Sequence, residues 1–186
     1  MMNKTTKYSP PGILLLNGVP GAGKTTIAYL IAKNCPRGAH INGDEIHNLV
    51  VGGRIHPPGK PEDEVQRQLM LRARNMALLA DSLFESGVFP VLDNCISKRE
   101  YLDYLISRIR SRPIAMVVLA PPMAVTLERD KHRAEKTVAH LYTDNYLVMR
   151  EELSGIGLWL NTQGMTPEQT AEAVLQQAFS EGRIRD

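Results

Sequence analysis

Short apolar runs and longer amphipathic segments alternate from one end of the chain to the other. A short apolar run is typical of a strand buried in a parallel sheet, whereas apolar residues three or four positions apart are typical of a helix. Because the two kinds of segment alternate throughout, we expect a parallel sheet of about five strands with helices on both faces. The runs that predict strands lie at residues 13–16, 39–42, 88–92, 114–119 and 157–160.

The amphipathic segments between these runs predict the helices. The longest extends from residue 62 to about residue 85. Before the last helix, Thr166, Pro167 and Gln169 make up a capping box with proline at the first helical position. Other helices are predicted at residues 25–34, 45–50, 98–111, 121–129 and 141–153. The apolar stripe of the longest helix consists of Val65, Leu69, Met76, Leu79 and Leu83.

Composition limits the class of protein. A chain of 186 residues with 43% hydrophobic content fits one domain spanning residues 1–186. The net charge of +2, from 22 basic and 20 acidic residues, indicates neither a nucleic-acid tail nor an acidic partner. Cys35 and Cys95 form no C-x-x-C pair, which argues against a disulfide framework or a zinc site and suits a reducing compartment.

The N-terminal segment, residues 1–11, is polar and is expected to be flexible. It lacks the apolar core of a signal peptide, and no apolar run in the chain approaches the roughly 18 residues that a membrane span needs. We therefore expect a cytoplasmic protein without a membrane partner. The pattern leaves the oligomeric state open.

A phosphate-binding motif follows the first predicted strand. Gly18, Gly23, Lys24 and Thr25 have the spacing of a P-loop, G-x-x-x-x-G-K-[ST], between a strand and a helix. Backbone N–H groups of such a loop wrap a triphosphate, the lysine adds charge at the β and γ phosphates, and the threonine hydroxyl is placed for Mg²⁺. The residues expected to bind ATP are Gly18, Val19, Pro20, Gly21, Ala22, Gly23, Lys24, Thr25 and Thr26.

Two acidic residues follow predicted strands. Ligands of open α/β sheets bind beyond the carboxyl ends of the strands, so Asp44 is expected beside the P-loop as a functional carboxylate. It also stands where an N-cap would open a short helix, and the two roles are compatible. Asp93 ends the third strand like a Walker B carboxylate, which would make it a magnesium ligand together with Thr25.

Two groups of basic and polar residues have alternative interpretations. Arg67, Arg74 and Asn75 share a second stripe of the long helix, which is either a solvated face or the lining of an acceptor groove. Four basic residues occur within residues 129–136, and they form either a solvated helix face or part of a lid, about residues 129–142. Such a lid would close over the phosphates and exclude water.

With these motifs in order, the chain resembles the small P-loop kinases, particularly the group of chloramphenicol phosphotransferase, zeta toxins and the kinase domains of polynucleotide kinases. The resemblance implies a three-layer, nucleoside-kinase-like P-loop NTPase fold with a short helical lid, and ATP and Mg²⁺ as cofactors. It implies Asp44 as the catalytic base, Arg129 packed on adenine and Arg133 on the phosphates. Shikimate and gluconate kinases are similar in outline.

Three functions are compatible with these residues. The first is transfer of the γ-phosphate of ATP to a hydroxyl of a small molecule, such as an antibiotic, a sugar or a nucleoside, with Lys24, Asp44 and Arg133 as catalytic residues. The second is a polynucleotide kinase or a zeta-type toxin, so nucleic acid is a possible but less favoured partner. The third is a regulator that binds ATP without transfer. The chain lacks an N-K-x-D motif, which argues against a GTPase switch.

Overall fold

The computed structural model describes residues 10–131 and 143–186. A six-stranded sheet lies at its centre, with five parallel strands in the order β2-β3-β1-β4-β5. The predicted parallel sheet of about five strands is therefore confirmed. The strands are β1 (Ile13–Asn17), β2 (Gly38–Asn42), β3 (Phe89–Asp93), β4 (Ile114–Leu119), β5 (Leu158–Leu160) and β6 (Arg183–Arg185).

The sixth strand, β6, was not predicted. It pairs antiparallel with the start of β4, through Arg185 and Arg183 opposite Ile114 and Ala115. Its three residues, Arg-Ile-Arg, carry too little apolar character for a strand to be predicted from pattern alone. Pairing with the start of β4 and packing of Ile184 against the core stabilise this segment.

Helices cover both faces of the sheet, as the alternating pattern predicts. The helix α3 occupies the predicted range, and α7 begins with the predicted capping box, in which Thr166 and Gln169 exchange hydrogen bonds of 3.2 and 2.9 Å. In the described residues the helices are α1 (Lys24–Asn34), α2 (Gly43–Asn48), α3 (Glu62–Glu85), α4 (Arg99–Arg108), α5 (Met123–Lys131), α6 (Thr143–Leu153) and α7 (Pro167–Glu181).

The two faces of the sheet have separate cores because side chains of a strand alternate. From β1, Ile13 and Leu15 enter one core, while Leu14 and Leu16 enter the other. The first core includes residues of α3, α4 and α6, and the second includes residues of α1 and α7. All of β1 is buried, and burial of each such leucine contributes roughly 1.5–3 kcal/mol. This rigid centre holds the carboxyl ends of the strands in place.

The buried face of α3 differs from the predicted stripe. Leu79 is 42% exposed, whereas Ala73, Ala77 and Ala80 are fully buried beside Met76. Small side chains let the helix approach the sheet and α4 closely, so the larger leucine is turned outward. Met76 is buried and Leu69 and Leu83 pack against the first core, so the predicted stripe is confirmed for these residues and is wrong for Leu79.

Two helix starts also differ from prediction. The side chain of Asn42, not that of Asp44, caps α2. The helix predicted from residue 98 begins at Arg99, with Lys98 as its N-cap and no side-chain cap hydrogen bond. The expected flexible segment lies largely outside the described residues. So does most of the predicted lid, of which only residues 129–131 are described, as the end of α5. No helix among the described residues is long and apolar enough to cross a membrane.

Candidate active site

The loop between β1 and α1 has the conformation that its glycines allow. Gly21 and Gly23 have φ angles of 84° and 99°, a region that other residues seldom occupy. A Cβ atom at Gly21 would lie 2.6 Å from the carbonyl oxygen of Thr126 on α5. At Gly23, by contrast, the nearest atom would be 4.0 Å away. Gly21 thus permits close packing of the loop, and Gly23 leaves the space above the helix open.

The N-terminus of α1 is prepared for an anion. No side chain caps this helix start, and its first turn contains no acidic residue. Its terminal N–H groups, at the positive end of the helix dipole, therefore remain available to an anion. Lys24 Nζ donates to the carbonyl oxygen of Val19 at 3.2 Å, which holds the ammonium group over the loop. Thr25 and Thr26 are exposed in the first turn and line the same cleft.

Asp93 lies directly beside this loop. It ends β3, next to Leu16 of β1, and is only 4% exposed. Burial by itself would raise the pKa of Asp93. A hydrogen bond with His40, whose Nε2 lies 3.4 Å from Asp93 Oδ2, the charge of Lys24 and a hydrogen bond from Thr25 together hold that pKa below its ordinary value. The carboxylate is therefore ionised at neutral pH.

Thr25 and Asp93 form a donor set that fits Mg²⁺. A hydroxyl and an ionised carboxylate are hard oxygen ligands, and Mg²⁺ is usually bound by one or two protein oxygens together with substrate phosphates and water. Within the described ranges, no cluster of three or more His, Cys, Asp and Glu side chains is arranged to hold a metal ion by itself. The site therefore fits a metal that arrives with phosphate.

Asp44 lies in the first turn of α2, beyond the carboxyl end of β2. Its backbone N–H donates to Asn42 Oδ1 at 2.8 Å, which leaves capping to Asn42. The Asp44 side chain is 88% exposed, and the residue lines the same cleft as the P-loop. The predicted cap role is therefore wrong, whereas the expected position beside the P-loop is observed. A base role for Asp44 stays a prediction.

Arg72 on α3 is the residue of this cleft that the sequence patterns missed. It is 7% exposed and lines the cleft, with its Nε 3.2 Å from the Tyr101 hydroxyl and its Nη1 3.4 Å from Asp44 Oδ1. Its guanidinium also lies 5.8 Å from the centre of the Tyr101 ring. A usable signal existed, since Arg72 precedes Met76 by one helical turn and so shares the buried face.

The three residues considered for the acceptor groove lie elsewhere. Arg67 is exposed and binds Glu64 through two hydrogen bonds of 2.6 and 2.7 Å. Neither Arg67, Arg74 nor Asn75 lines the cleft. The spacing along α3 explains this outcome, because Arg72 lies on the inward face one turn before Met76, whereas Arg67 and Arg74 lie on the exposed side. Their interpretation as an outer helix face is therefore the one that the geometry favours.

Arg129 flanks the P-loop from the other side. It projects from α5 and donates to the hydroxyl of Thr162 at 3.3 Å and to its carbonyl oxygen at 3.0 Å. Met165, in the same loop as Thr162, also lines the cleft. A guanidinium plane and an apolar side chain at this place suit an aromatic base. Arg133, predicted to contact phosphates, lies outside the described residues.

These side chains border one cleft of about 1580 Å³. One half, which we call the nucleotide half, consists of the P-loop with Arg129, Thr162 and Met165. The other, which we call the acceptor half, begins at Asp44 and continues over α3 and α4. The acceptor half is lined by Asp44, Pro57, Pro58, Lys60, Glu62, Val65, Leu69, Arg72, Lys98, Glu100 and Tyr101.

Solved structures with the same fold come from several organisms. A sugar kinase from Janibacter sp. HTCC2649 is 24% identical, with a TM-score of 0.69 over 90% of this chain and 94% of the other. The tunicamycin resistance protein of Deinococcus radiodurans is 19% identical, with a TM-score of 0.68 over 95% and 100%. A gluconokinase from Sinorhizobium meliloti 1021 is 23% identical, with a TM-score of 0.63 over 90% and 93%. These likenesses show a P-loop kinase fold.

Sequence comparison adds the family. No curated protein matches the chain significantly. The narrower resemblance to chloramphenicol phosphotransferase, zeta toxins and polynucleotide kinases stays a prediction. A family model described as an AAA domain, AAA_33, matches residues 13–153, which include the P-loop, Asp44, Asp93 and Arg129. Since that match covers most of the chain, the protein belongs to the AAA_33 family of AAA domains.

Proposed function

We propose that this protein is an ATP-dependent phosphotransferase that transfers the γ-phosphate of ATP to a hydroxyl of a small molecule. The observation that carries the proposal is that the P-loop and Asp44 open into one cleft, with a separate acceptor half beyond them. Phosphoryl transfer needs little covalent chemistry from the protein, so positioning two substrates in line within one cleft supplies most of the catalysis.

Each site residue has a role in this proposal. The loop from Gly18 to Thr26 binds the phosphates, with the Lys24 ammonium group directed at the transferring one. Thr25 and Asp93 would hold Mg²⁺, which neutralises charge on the phosphates when it is bound. Arg129 would pack against the adenine, and Arg133 would contact the transferring phosphate.

Asp44 would orient the acceptor hydroxyl and accept its proton. Its exposed carboxylate at the head of α2 can reach a ligand in the acceptor half without displacing any helix cap, because Asn42 performs that capping. A general base must lie within hydrogen-bond reach of the proton that it removes. Asp93 is less suited to the role because its carboxylate is buried and hydrogen-bonded.

The lining of the acceptor half favours a small molecule over a polynucleotide. Acidic and basic side chains line the same space in equal number. The acidic ones are Asp44, Glu62 and Glu100, and the basic ones are Lys60, Arg72 and Lys98. A polynucleotide backbone is bound by a continuous basic track, which this mixture does not provide among the described residues. Several proteins of the same fold are named as sugar, gluconate or shikimate kinases, which supports an alcohol acceptor.

An ADP-release screen tests the proposal. The protein is incubated with ATP and Mg²⁺ and with hydroxyl-bearing sugars, sugar acids, nucleosides and antibiotics, and Lys24→Ala serves as the inactive control. We expect acceptor-dependent ADP release and a phosphorylated product from the wild type alone. ATP binding without release for any acceptor would contradict transfer and favour a nucleotide-binding regulator. Phosphorylation of an oligonucleotide in preference to every small molecule would contradict the acceptor class.

A further inference from the structure

The charge of Arg72 is buried in the wall of the acceptor half with few partners. Its side chain is 8% exposed, and an arginine side chain carries five N–H donors and stays charged. Among the described residues, its hydrogen bonds are those to the Tyr101 hydroxyl and to Asp44. Burying a cation is costly unless it is paired and hydrogen-bonded. Among the described residues, Arg72 therefore has N–H donors that no protein group accepts, in the wall of a binding cleft.

The contact with Asp44 does not supply that compensation. The Nη1–Oδ1 distance is 3.4 Å, whereas charge-assisted hydrogen bonds typically measure about 2.7–2.9 Å. Asp44 is also 88% exposed, so water competes for its carboxylate. Arg67 on the same helix provides a contrast, since it binds Glu64 through two short hydrogen bonds and lies at the surface. The arginine with the poorer partner is the buried one that faces the cleft.

The surroundings hold the Arg72 guanidinium in a defined orientation. Tyr101 accepts from Arg72 Nε, and the same hydroxyl accepts from Asn94 Nδ2 at 3.3 Å. Asn94 in turn accepts a hydrogen bond from the backbone N–H of Cys95 at 2.9 Å. A guanidinium that is held at Nε keeps its Nη groups for a ligand, and their fork matches the two oxygens of a carboxylate or phosphate.

We propose that Arg72 binds an oxyanion of the acceptor, so that the acceptor is a hydroxylated small molecule with a carboxylate or phosphate group. This inference rests on the proposed function, because it assumes that the bound molecule is the phosphate acceptor. The oxyanion would then lie next to the hydroxyl that Asp44 would orient. The 3.4 Å distance between Arg72 and Asp44 places the two groups of the acceptor within a few bonds of each other. Sugar acids and small sugar phosphates have this form.

A binding experiment tests the oxyanion site without turnover. The P-loop is first filled with Mg²⁺ and a non-hydrolysable ATP analogue, so that added phosphate compounds cannot bind there. Melting temperatures are then measured with D-gluconate against its neutral counterpart D-glucitol, and with glucose 6-phosphate against glucose. We expect at least one anionic probe, but neither neutral one, to raise the melting temperature of the wild type.

Variants of α3 locate the site. Arg72→Met keeps the apolar stem and removes the charge, Arg72→Lys keeps the charge without the fork, and the exposed Arg74→Met is the matched control. We expect anion-dependent stabilisation in the wild type and in Arg74→Met, a reduced effect in Arg72→Lys and none in Arg72→Met. Circular dichroism of each variant shows that it is folded; should Arg72→Met fail to fold, Arg72→Lys carries the comparison.

The same variants separate this inference from the proposed function. Among acceptors found by ADP release, we expect anionic ones, with KM for the acceptor raised about ten- to a hundredfold by Arg72→Met and unchanged by Arg74→Met. A neutral acceptor that Arg72→Met phosphorylates as well as the wild type, or anions that stabilise neither protein or both equally, would overturn the oxyanion site. Anion binding that depends on Arg72 without any transfer would instead overturn the proposed function and leave the site standing.

Discussion

The two halves of the cleft are built in different ways. The centre of the nucleotide half is one continuous stretch, residues 18–26, in which a glycine-rich loop leads into the uncapped start of α1; Arg129, Thr162 and Met165 flank it. The acceptor half draws single side chains from distant segments: Asp44 follows β2, Arg72 belongs to α3 and Tyr101 to α4. The proposed nucleotide site therefore depends mainly on a local motif, whereas tertiary packing assembles the proposed acceptor site.

This difference explains why one fold can serve many acceptors. The proposed phosphate contacts are largely those of backbone groups and glycines, which do not change when the surrounding side chains change. Arg72 and Glu100 are side chains on helices, Lys98 is the N-cap of α4, and each can be replaced without altering the loop. We expect mutations in the P-loop to reduce transfer to every acceptor alike, and mutations of Arg72, Lys98 or Glu100 to change which acceptor is used.

Replacement of the P-loop lysine should have the largest effect. Lys24→Ala removes a full charge from the transferring phosphate, and we expect a loss of about a thousandfold or more in kcat/KM with every acceptor. Steady-state ADP release measures it, and Lys33→Ala at the exposed end of the same helix is the matched control. Turnover within tenfold of the wild type, in a variant with normal melting, would exclude the P-loop as the centre of the reaction.

Asp44→Asn should slow transfer without affecting the nucleotide half. It keeps the shape of the side chain but loses basicity, so we expect ATP binding as in the wild type and transfer at least about a hundredfold slower. Its melting temperature should stay close to the wild-type value. Wild-type turnover in a folded Asp44→Asn protein would show that the base is elsewhere, with Asp93 the next residue to test.

Variants of Arg129, in α5, and of Arg133, four positions later in the sequence, should separate binding from catalysis. We expect Arg133→Ala to lower kcat by about ten- to a hundredfold and Arg129→Ala chiefly to raise KM for ATP by about tenfold. Lys131→Ala, between them, controls for the general loss of positive charge. The opposite split would exchange the two roles, and no effect from either change would identify this basic stretch as a solvated helix face.

The smallest effect distinguishes capping from chemistry at the start of α2. Asn42 Oδ1 accepts from the backbone N–H groups of Asp44 and Glu45, so Asn42→Ala should lower the free energy of unfolding by about 1 kcal/mol. Asp44→Asn should leave that free energy nearly unchanged. Chemical denaturation of both variants measures the difference in the free energy of unfolding. Equal destabilisation would show that the Asp44 side chain contributes to capping as much as Asn42 does.

Agreement between pattern and structure is closest where the information is local. The capping box of α7 and the range of α3 could be predicted because each depends on residues a few positions apart. The cap of α2 was assigned to the wrong residue because Asn42 and Asp44 are both good capping residues, and only the end of β2 decides between them. The strand β6 was missed because its stability comes from a partner far away in the chain.

Residue type and short-range spacing were enough to predict the alternation of strands and helices, the P-loop, and the positions of Asp44 and Asp93 after strands. Tertiary packing decided which side chains of the inward face of α3 are fully buried and which of them border the cleft. Ala73, Ala77 and Ala80 are fully buried, the larger Leu79 is 42% exposed, and Arg72 lines the cleft. Close packing of an entire face depends on distant partners, which periodicity does not contain.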